Sequence, residues 1–274
     1  MEPQPLGTAG AVKYAAGSLT EPVVVFNGDV LTQIDLAAVI RLHRERRARA
    51  TIVLTPVDNP TAFGLVETDS EGNVRRFVEK PRSDQITTHH ITAGIYVLEP
   101  DTFPRIPSGE PCSIERSYFP SLVEGRDTFV AYVCDGYWID IGTPEKYTQV
   151  HRDIMDGRYV TVPFLNLPDP RIAVAADARI EDGAKVEGPC FIDHGALIKA
   201  GARIGPYSVI GRQTHVGEDA SIDRAILWPD CHVGREASVR DAILGRGCRL
   251  GRRVSVNGGA VLGDETTLTE YTRA

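Results

Sequence analysis

The chain has 274 residues, enough for one large or two medium domains with a good buried core. Its formal net charge of −7 argues against wholesale nucleic-acid binding, which depends on neutralising phosphates with Lys and Arg. No apolar run is long enough to span a bilayer, Met1-Glu2-Pro3-Gln4-Pro5 does not read as a secretory signal, and five cysteines without a C-x-x-C pair fit free thiols, so a cytoplasmic protein without membrane partners is expected.

Leu6-Gly7-Thr8-Ala9-Gly10 reads as a Gly-rich turn entering a helix from Ala11 to about Leu19. Backbone N–H groups at such a start can meet a base edge or a phosphate; the plainer reading is a helix cap. Pro22 to Phe26 is an apolar, β-branched run of the kind that forms a strand buried on both faces of a parallel sheet. It ends in Asn27-Gly28-Asp29. Ligands of open α/β sheets sit at the carboxyl ends of strands, where Gly28 would let a ligand approach the backbone and Asp29 could hold a hard cation such as Mg²⁺ beside phosphates. Taken alone, the same tripeptide is equally a turn.

Leu36, Val39 and Ile40 recur at helical spacing and predict a helix over 34–50. Its Arg41, Arg44, Arg46, Arg47 and Arg49 read as a solvated face rather than a nucleic-acid patch. Thr51 to Thr55 is a second buried strand, and two strands flanking Ser70-Glu71-Gly72-Asn73 predict a hairpin. Glu79-Lys80-Pro81 follows; beside a sugar phosphate the Glu could accept from hydroxyls and the Lys neutralise phosphate, although Glu-Lys is also an ordinary surface pair. Ala93 to Leu98 and Phe129 to Val133 are further strands, and Ser113 is placed to cap a short helix. A last helix begins after Thr143, with Pro144 at its first position.

The pattern changes near residue 170. Residues 1–158 alternate strands with helices, 159–170 is a linker with Pro163, Pro168 and Pro170, and a period of six fills 171–274. Val174, Ile180, Val186, Ile192, Ile198, Ile204, Ile210, Val216 and Ile222 form an unbroken aliphatic ladder. It slips by one to continue at Leu227, Val233 and Val239, and again to continue at Leu244, Leu250, Val256, Leu262 and Leu268. A hexapeptide period is the signature of a parallel β-helix, with one inward aliphatic on each of three faces per coil. Glycines such as Gly183, Gly201, Gly217 and Gly234 are expected near its corners. His194, His215 and His232 share no catalytic spacing and read as solvated.

Pro5-Leu6-Gly7-Thr8-Ala9-Gly10, Asn27-Gly28-Asp29, Phe63-Gly64-Leu65-Val66-Glu67, Glu79-Lys80-Pro81, Ala93-Gly94-Ile95-Tyr96 and Trp138-Ile139-Asp140-Ile141-Gly142-Thr143-Pro144 occur in the order found in the sugar-1-phosphate nucleotidyltransferases, which the chain closely resembles. Many members carry a C-terminal left-handed β-helix, so the resemblance covers nearly the whole chain. It implies a Rossmann-like α/β nucleotidyltransferase domain followed by a left-handed β-helix. The implied reaction joins a nucleoside triphosphate to a sugar-1-phosphate and releases pyrophosphate, with GTP and mannose-1-phosphate expected first because Ser113-Ile114-Glu115 and the Trp138 segment look most like the guanylyl branch. It implies that Gly7 and Gly10 meet the base region and that Asp29 and Asp140 hold Mg²⁺. Gly64 and Glu79 would contact the sugar hydroxyls and Lys80 the sugar phosphate. A homo-oligomer, paired through the β-helix, is expected.

The chain departs from the pattern in two places. Thr92 stands where members often have Asn, and a hydroxyl reaches less far than an amide toward the sugar. Members also begin with a strand and a G-x-G-x-R loop upstream of the Leu6-Gly7 stretch, so the α/β domain is expected to be N-terminally truncated and the chain nearly inactive alone. A non-catalytic regulatory or scaffold subunit is the alternative, but it has no need of Asp29, Lys80 and Asp140. A hexapeptide acyltransferase lacks a supporting motif.

Overall fold

The structure is a computed structural model that describes residues 2, 4–79, 81–168 and 171–274. By its contacts the chain divides into Met1–Asp140 and Ile141–Ala274. None of the helices among the described residues is long and apolar enough to cross a membrane.

The first unit is built on a six-stranded sheet. Its strands are β1 (Val23–Phe26), β3 (Ala50–Pro56), β4 (Gly64–Thr68), β5 (Val74–Glu79), β6 (His90–Leu98) and β7 (Phe129–Val133), while β2 (Val30–Thr32) and β8 (Trp138–Asp140) form a separate two-stranded pair. The order is β5-β4-β6-β3-β7, with β1 beside β6. Central β3 is buried from Ala50 through Thr55 and runs parallel to β7 and antiparallel to β6. Helices α1 (Gly7–Ala16), α2 (Leu36–Glu45) and α3 (Phe119–Glu124) complete the unit. Tyr96, Phe119 and Phe129 are the centre of an aromatic core on one side of the sheet, with Phe77 stacked on the two phenylalanines. The expected hairpin is β4–β5, closed by Asp69, whose carboxylate accepts from the Asn73 backbone and side chain; these bonds hold it well below the usual carboxylate range.

Three local expectations are corrected. The Val23 strand is neither parallel nor buried on both faces: β1 stops at Phe26, runs antiparallel to β6, and leaves Val24 36% and Phe26 47% exposed. An all-apolar Val-Val-Val-Phe run has no polar residue to reveal its open face. The helix over 34–50 is shorter, α2 being capped by Asp35, which accepts from Ala38 N, and ended where Arg47 takes φ 46° and Ala50 enters β3. Finally, α1 starts at Gly7 rather than Ala11, so the Gly-rich stretch is the helix's first turn and not a loop before it. Three of the five arginines of the α2 region have local partners: Arg41 with Asp35, Arg46 with Glu71 O and Asn73, Arg49 with Asp101.

The second unit is a parallel β-helix whose strands stack in sheets of six, five and six. Strand partners Arg179, Leu197 and His215 lie eighteen residues apart; His215, His232 and Arg249 lie seventeen apart. The two short coils explain both slips of the aliphatic ladder. Each loses its residue at the same corner, where Arg224 and Asp241 take φ 49° and 47° and stack as a two-bond ion pair of 2.8 and 2.9 Å. The ladder from Ile192 to Val256 is buried. The first rungs are corrected: Val174 and Ile180 are 42% and 41% exposed. Gly183 and Gly201 adopt positive φ, whereas Gly217 and Gly234 do not; there a Cβ would meet the backbone of the next coil at 2.6–2.8 Å.

Helix α4 (Pro144–Met155), capped by the Thr143 side chain with Pro144 first, belongs by contact to this second unit, which begins at Ile141. The reason is an apolar outer face on the β-helix. Ala173, Phe191, Val209, Ile226 and Ile243 are packed with Tyr147, Ile154 and Met155 of α4. Ahead of the β-helix, Phe164, in the turn Val162–Phe164, is buried against Phe191.

Candidate active site

The site is assembled by an irregularity in β6. The β3–β6 register shifts between Ile52 and Leu54, and opposite that shift Gly94 takes φ 74°. The shift frees two carbonyls. Gly94 O accepts from Asn27 N at 2.8 Å, and Ala93 O accepts from Trp138 Nε1 at 3.0 Å. The end of β1 and the start of β8 therefore hang on one two-residue feature. A Cβ on Gly94 would come within 2.8 Å of the Asn27 side chain, so glycine is required here by both backbone and space.

From Asn27 the chain enters β2, which pairs antiparallel with β8: Val30 faces Asp140, Leu31 faces Ile139 and Thr32 faces Trp138. Asp29 is thereby one residue from the partner of Asp140. The Trp138 ring meets Phe63 edge-on at 5.6 Å, just before Gly64 opens β4. Asp29, Asp140, Gly64, Thr92, Trp138 and Glu115 line one cavity of about 170 Å³.

Glu115 reaches this cavity from a turn over Ile114–Tyr118 whose N-cap, Ser113, accepts from Arg116 N at 3.2 Å. The turn is tied to α1: Thr8 Oγ1 accepts from Ile114 N at 2.8 Å, Cys112 O from Ala9 N at 2.9 Å, and Leu6 O from Cys112 N at 2.8 Å. At the other end of the turn, buried Tyr118 shares a hydrogen bond with Thr102 Oγ1. Burial pushes its phenol up to about 12, so it is a neutral anchor.

Of the residues singled out in the sequence, Asp29, Asp140, Gly64 and Thr92 meet in the cavity. Gly28 lies next to Asp29 with open space where a Cβ would stand. Gly7 and Gly10 lie on α1 and outside this lining; Gly7 has φ 67° and a Cβ there would meet Cys112 O at 2.7 Å, so its glycine serves the α1–Cys112 contact. Glu79 faces Gly64 in the β4–β5 register, its side chain lies outside the description, and Lys80 lies outside the described residues. The Thr92 hydroxyl donates to Tyr96 Oη at 3.2 Å and accepts from Gly94 N at 3.3 Å, so it braces the bulge. Asn27, Phe63, Gly94, Glu115 and Trp138 also line this cavity; all stand within or beside the ordered motifs, but only the fold shows that they converge.

Among the described residues no three His, Cys, Asp or Glu side chains form a metal-ligand group. Two neighbouring carboxylates are nevertheless a fitting donor set for Mg²⁺, which keeps several waters and is usually held by one or two carboxylates together with substrate phosphates.

The nucleotidyl transferase family model matches residues 1–157, and the GMPPB C-terminal domain matches residues 186–273. The chain is 38% identical over 208 residues to a mannose-1-phosphate guanylyltransferase of Mycobacterium tuberculosis, covering 75% of this chain and 55% of the relative. It is 30% identical over 230 residues to a UTP–glucose-1-phosphate uridylyltransferase of Synechocystis, covering 81% and 59%, and 32% identical over 235 residues to mannose-1-phosphate guanylyltransferase 1 of Arabidopsis thaliana, covering 82% and 64%. The chain thus spans a little over half the length of these curated relatives. With an α/β unit matched by the family model over residues 1–157 and a hexapeptide β-helix behind it, the chain belongs to the nucleotidyl transferase family, among its sugar-1-phosphate nucleotidyltransferases.

Proposed function

We propose that the protein transfers a nucleotidyl group from GTP to mannose-1-phosphate in the cytoplasm. A phosphate oxygen of the sugar-1-phosphate attacks the α-phosphorus of the nucleotide; the α–β bridging P–O bond breaks, and pyrophosphate leaves with the bonding pair. The observation that supports this reading is that Asp29, just before β2, and Asp140, at the end of β8, line one cavity. Those two carboxylates would hold Mg²⁺, which when bound neutralises phosphate charge. The residues of the chain itself supply position: the Asn27 and Trp138 bonds to the β6 bulge fix both carboxylate-bearing segments. The choice of GTP and mannose-1-phosphate rests on two of the three relatives named above being mannose-1-phosphate guanylyltransferases. The cytoplasmic setting rests on five free cysteines.

The cavity lining presents Asp29, Glu115 and Asp140 and, among the described residues, neither Lys nor Arg. A panel of GTP, UTP, TTP and ATP against mannose-1-phosphate and glucose-1-phosphate, assayed on the intact protein for pyrophosphate release with Mg²⁺, tests the reading. GTP with mannose-1-phosphate should give the highest kcat/KM; a lead for UTP with glucose-1-phosphate overturns the specificity, and no release with any pair overturns the reaction.

A further inference from the structure

We infer that Glu115 is a substrate-contacting residue that accepts hydrogen bonds from ring hydroxyls of the sugar-1-phosphate and so sets sugar preference. The inference rests on the reading of this cavity as a nucleotidyltransferase site. Three observations lead to it.

The first is placement. Asp140 ends β8 and Asp29 directly precedes its partner β2, whereas Glu115 enters the same cavity from the turn after Ser113, a different element. The second is the chemistry of the walls. The cavity pairs a carboxylate acceptor with the Trp138 and Phe63 rings and with Gly64, which has no side chain to fill the space. Sugars present this combination in reverse: hydroxyl donors around an apolar C–H face. At about 170 Å³ the space suits a single ring rather than a whole nucleotide. The third is support. The Glu115 turn is held by Thr8 Oγ1 on Ile114 N, by two backbone bonds between Cys112 and α1, by the Ser113 cap and by buried Tyr118. Gly7 permits the α1 contact, because any side chain there would strike the Cys112 backbone. A carboxylate borne on a turn held this way can select hydroxyl positions, since its backbone does not have to be reset on binding. It also gives the first turn of α1 a role as a positioning element for sugar recognition.

The test uses the intact protein with Glu115→Gln and Thr8→Val. Steady-state kinetics are measured against mannose-1-phosphate, its 2-, 3- and 4-deoxy analogues, GTP and Mg²⁺. Glu115→Gln should raise KM for mannose-1-phosphate by about 10- to 100-fold, the worth of hydrogen bonds to a charged group, while the Mg²⁺ and GTP dependences stay put. One deoxy analogue should be penalised in the wild type and scarcely at all in Glu115→Gln, because the lost hydroxyl and the lost carboxylate are one interaction. Thr8→Val should raise the same KM by a smaller factor without altering GTP dependence. An unchanged sugar KM in Glu115→Gln overturns the inference. So does a loss that falls on the Mg²⁺ dependence instead, which would make Glu115 part of the metal site. Wild-type protein that shows no turnover with any sugar-1-phosphate would instead overturn the underlying reading.

Discussion

Gly94 is the residue on which the candidate site depends most visibly. Its positive φ turns the Ala93 and Gly94 carbonyls toward Trp138 and Asn27, and the space beside it is filled by the Asn27 side chain. Gly94→Ala should lower stability by ~1–3 kcal/mol through backbone strain. It should also cut kcat/KM by more than the loss of folded protein explains, because Asn27 and with it Asp29 must move. Thermal unfolding and pyrophosphate release on the same preparation separate the two effects; full activity at reduced stability would mean that Asp29 does not depend on the bulge. At this scale the sequence is informative about identity and silent about distance. Asn27, Gly94 and Trp138 stand in ordered motifs, yet nothing in their spacing says that one bulge joins all three. Thr92 illustrates the limit further. It looks like a shortened sugar contact, but its hydroxyl is bonded to Tyr96 and Gly94 N.

Among the elements, the β-helix is the most legible and β1 the least. A six-residue period over the ladder from Ile192 to Val256 fixes which side chain points inward, because a coil of three faces allows only one aliphatic per face. The two slips are legible as well, as two coils shortened at the Arg224–Asp241 corner. The open end of the stack is not, since Val174 and Ile180 satisfy the same pattern while remaining 42% and 41% exposed. This difference makes a sharp test. Ile198→Asp buries an unpaired carboxylate at a side chain that is 0% exposed and should cost several kcal/mol, whereas Ile180→Asp should change the melting temperature little. Equal effects at the two positions would contradict the assigned register. For β1, four consecutive apolar residues carry no period, so neither its antiparallel pairing nor the exposure of Val24 and Phe26 can be read in advance.

For the molecule as a whole, composition marks a boundary near residue 170 and contact marks another at Asp140. The discrepancy has a physical source that the sequence does contain: one outer face of the β-helix bears Ala173, Phe191, Val209, Ile226 and Ile243, and these need a cover. Helix α4 and Phe164 provide it. A fragment of residues 141–274 should therefore unfold cooperatively and remain monodisperse, while one of residues 171–274 should melt at lower temperature and aggregate; matched behaviour of the two fragments would show that the cover is dispensable. In the other unit Asp29 and Asp140 line one cavity and are proposed to hold the metal of a nucleotidyl transfer site. The most direct test of that proposal is pyrophosphate release by the intact protein, measured across a Mg²⁺ titration for the wild type, Asp29→Asn and Asp140→Asn. Each substitution should lower turnover by about 10²-fold or more at saturating GTP and mannose-1-phosphate, and should shift the Mg²⁺ dependence to higher concentration; turnover within a few-fold of wild type at unchanged Mg²⁺ dependence, in either variant, would contradict it.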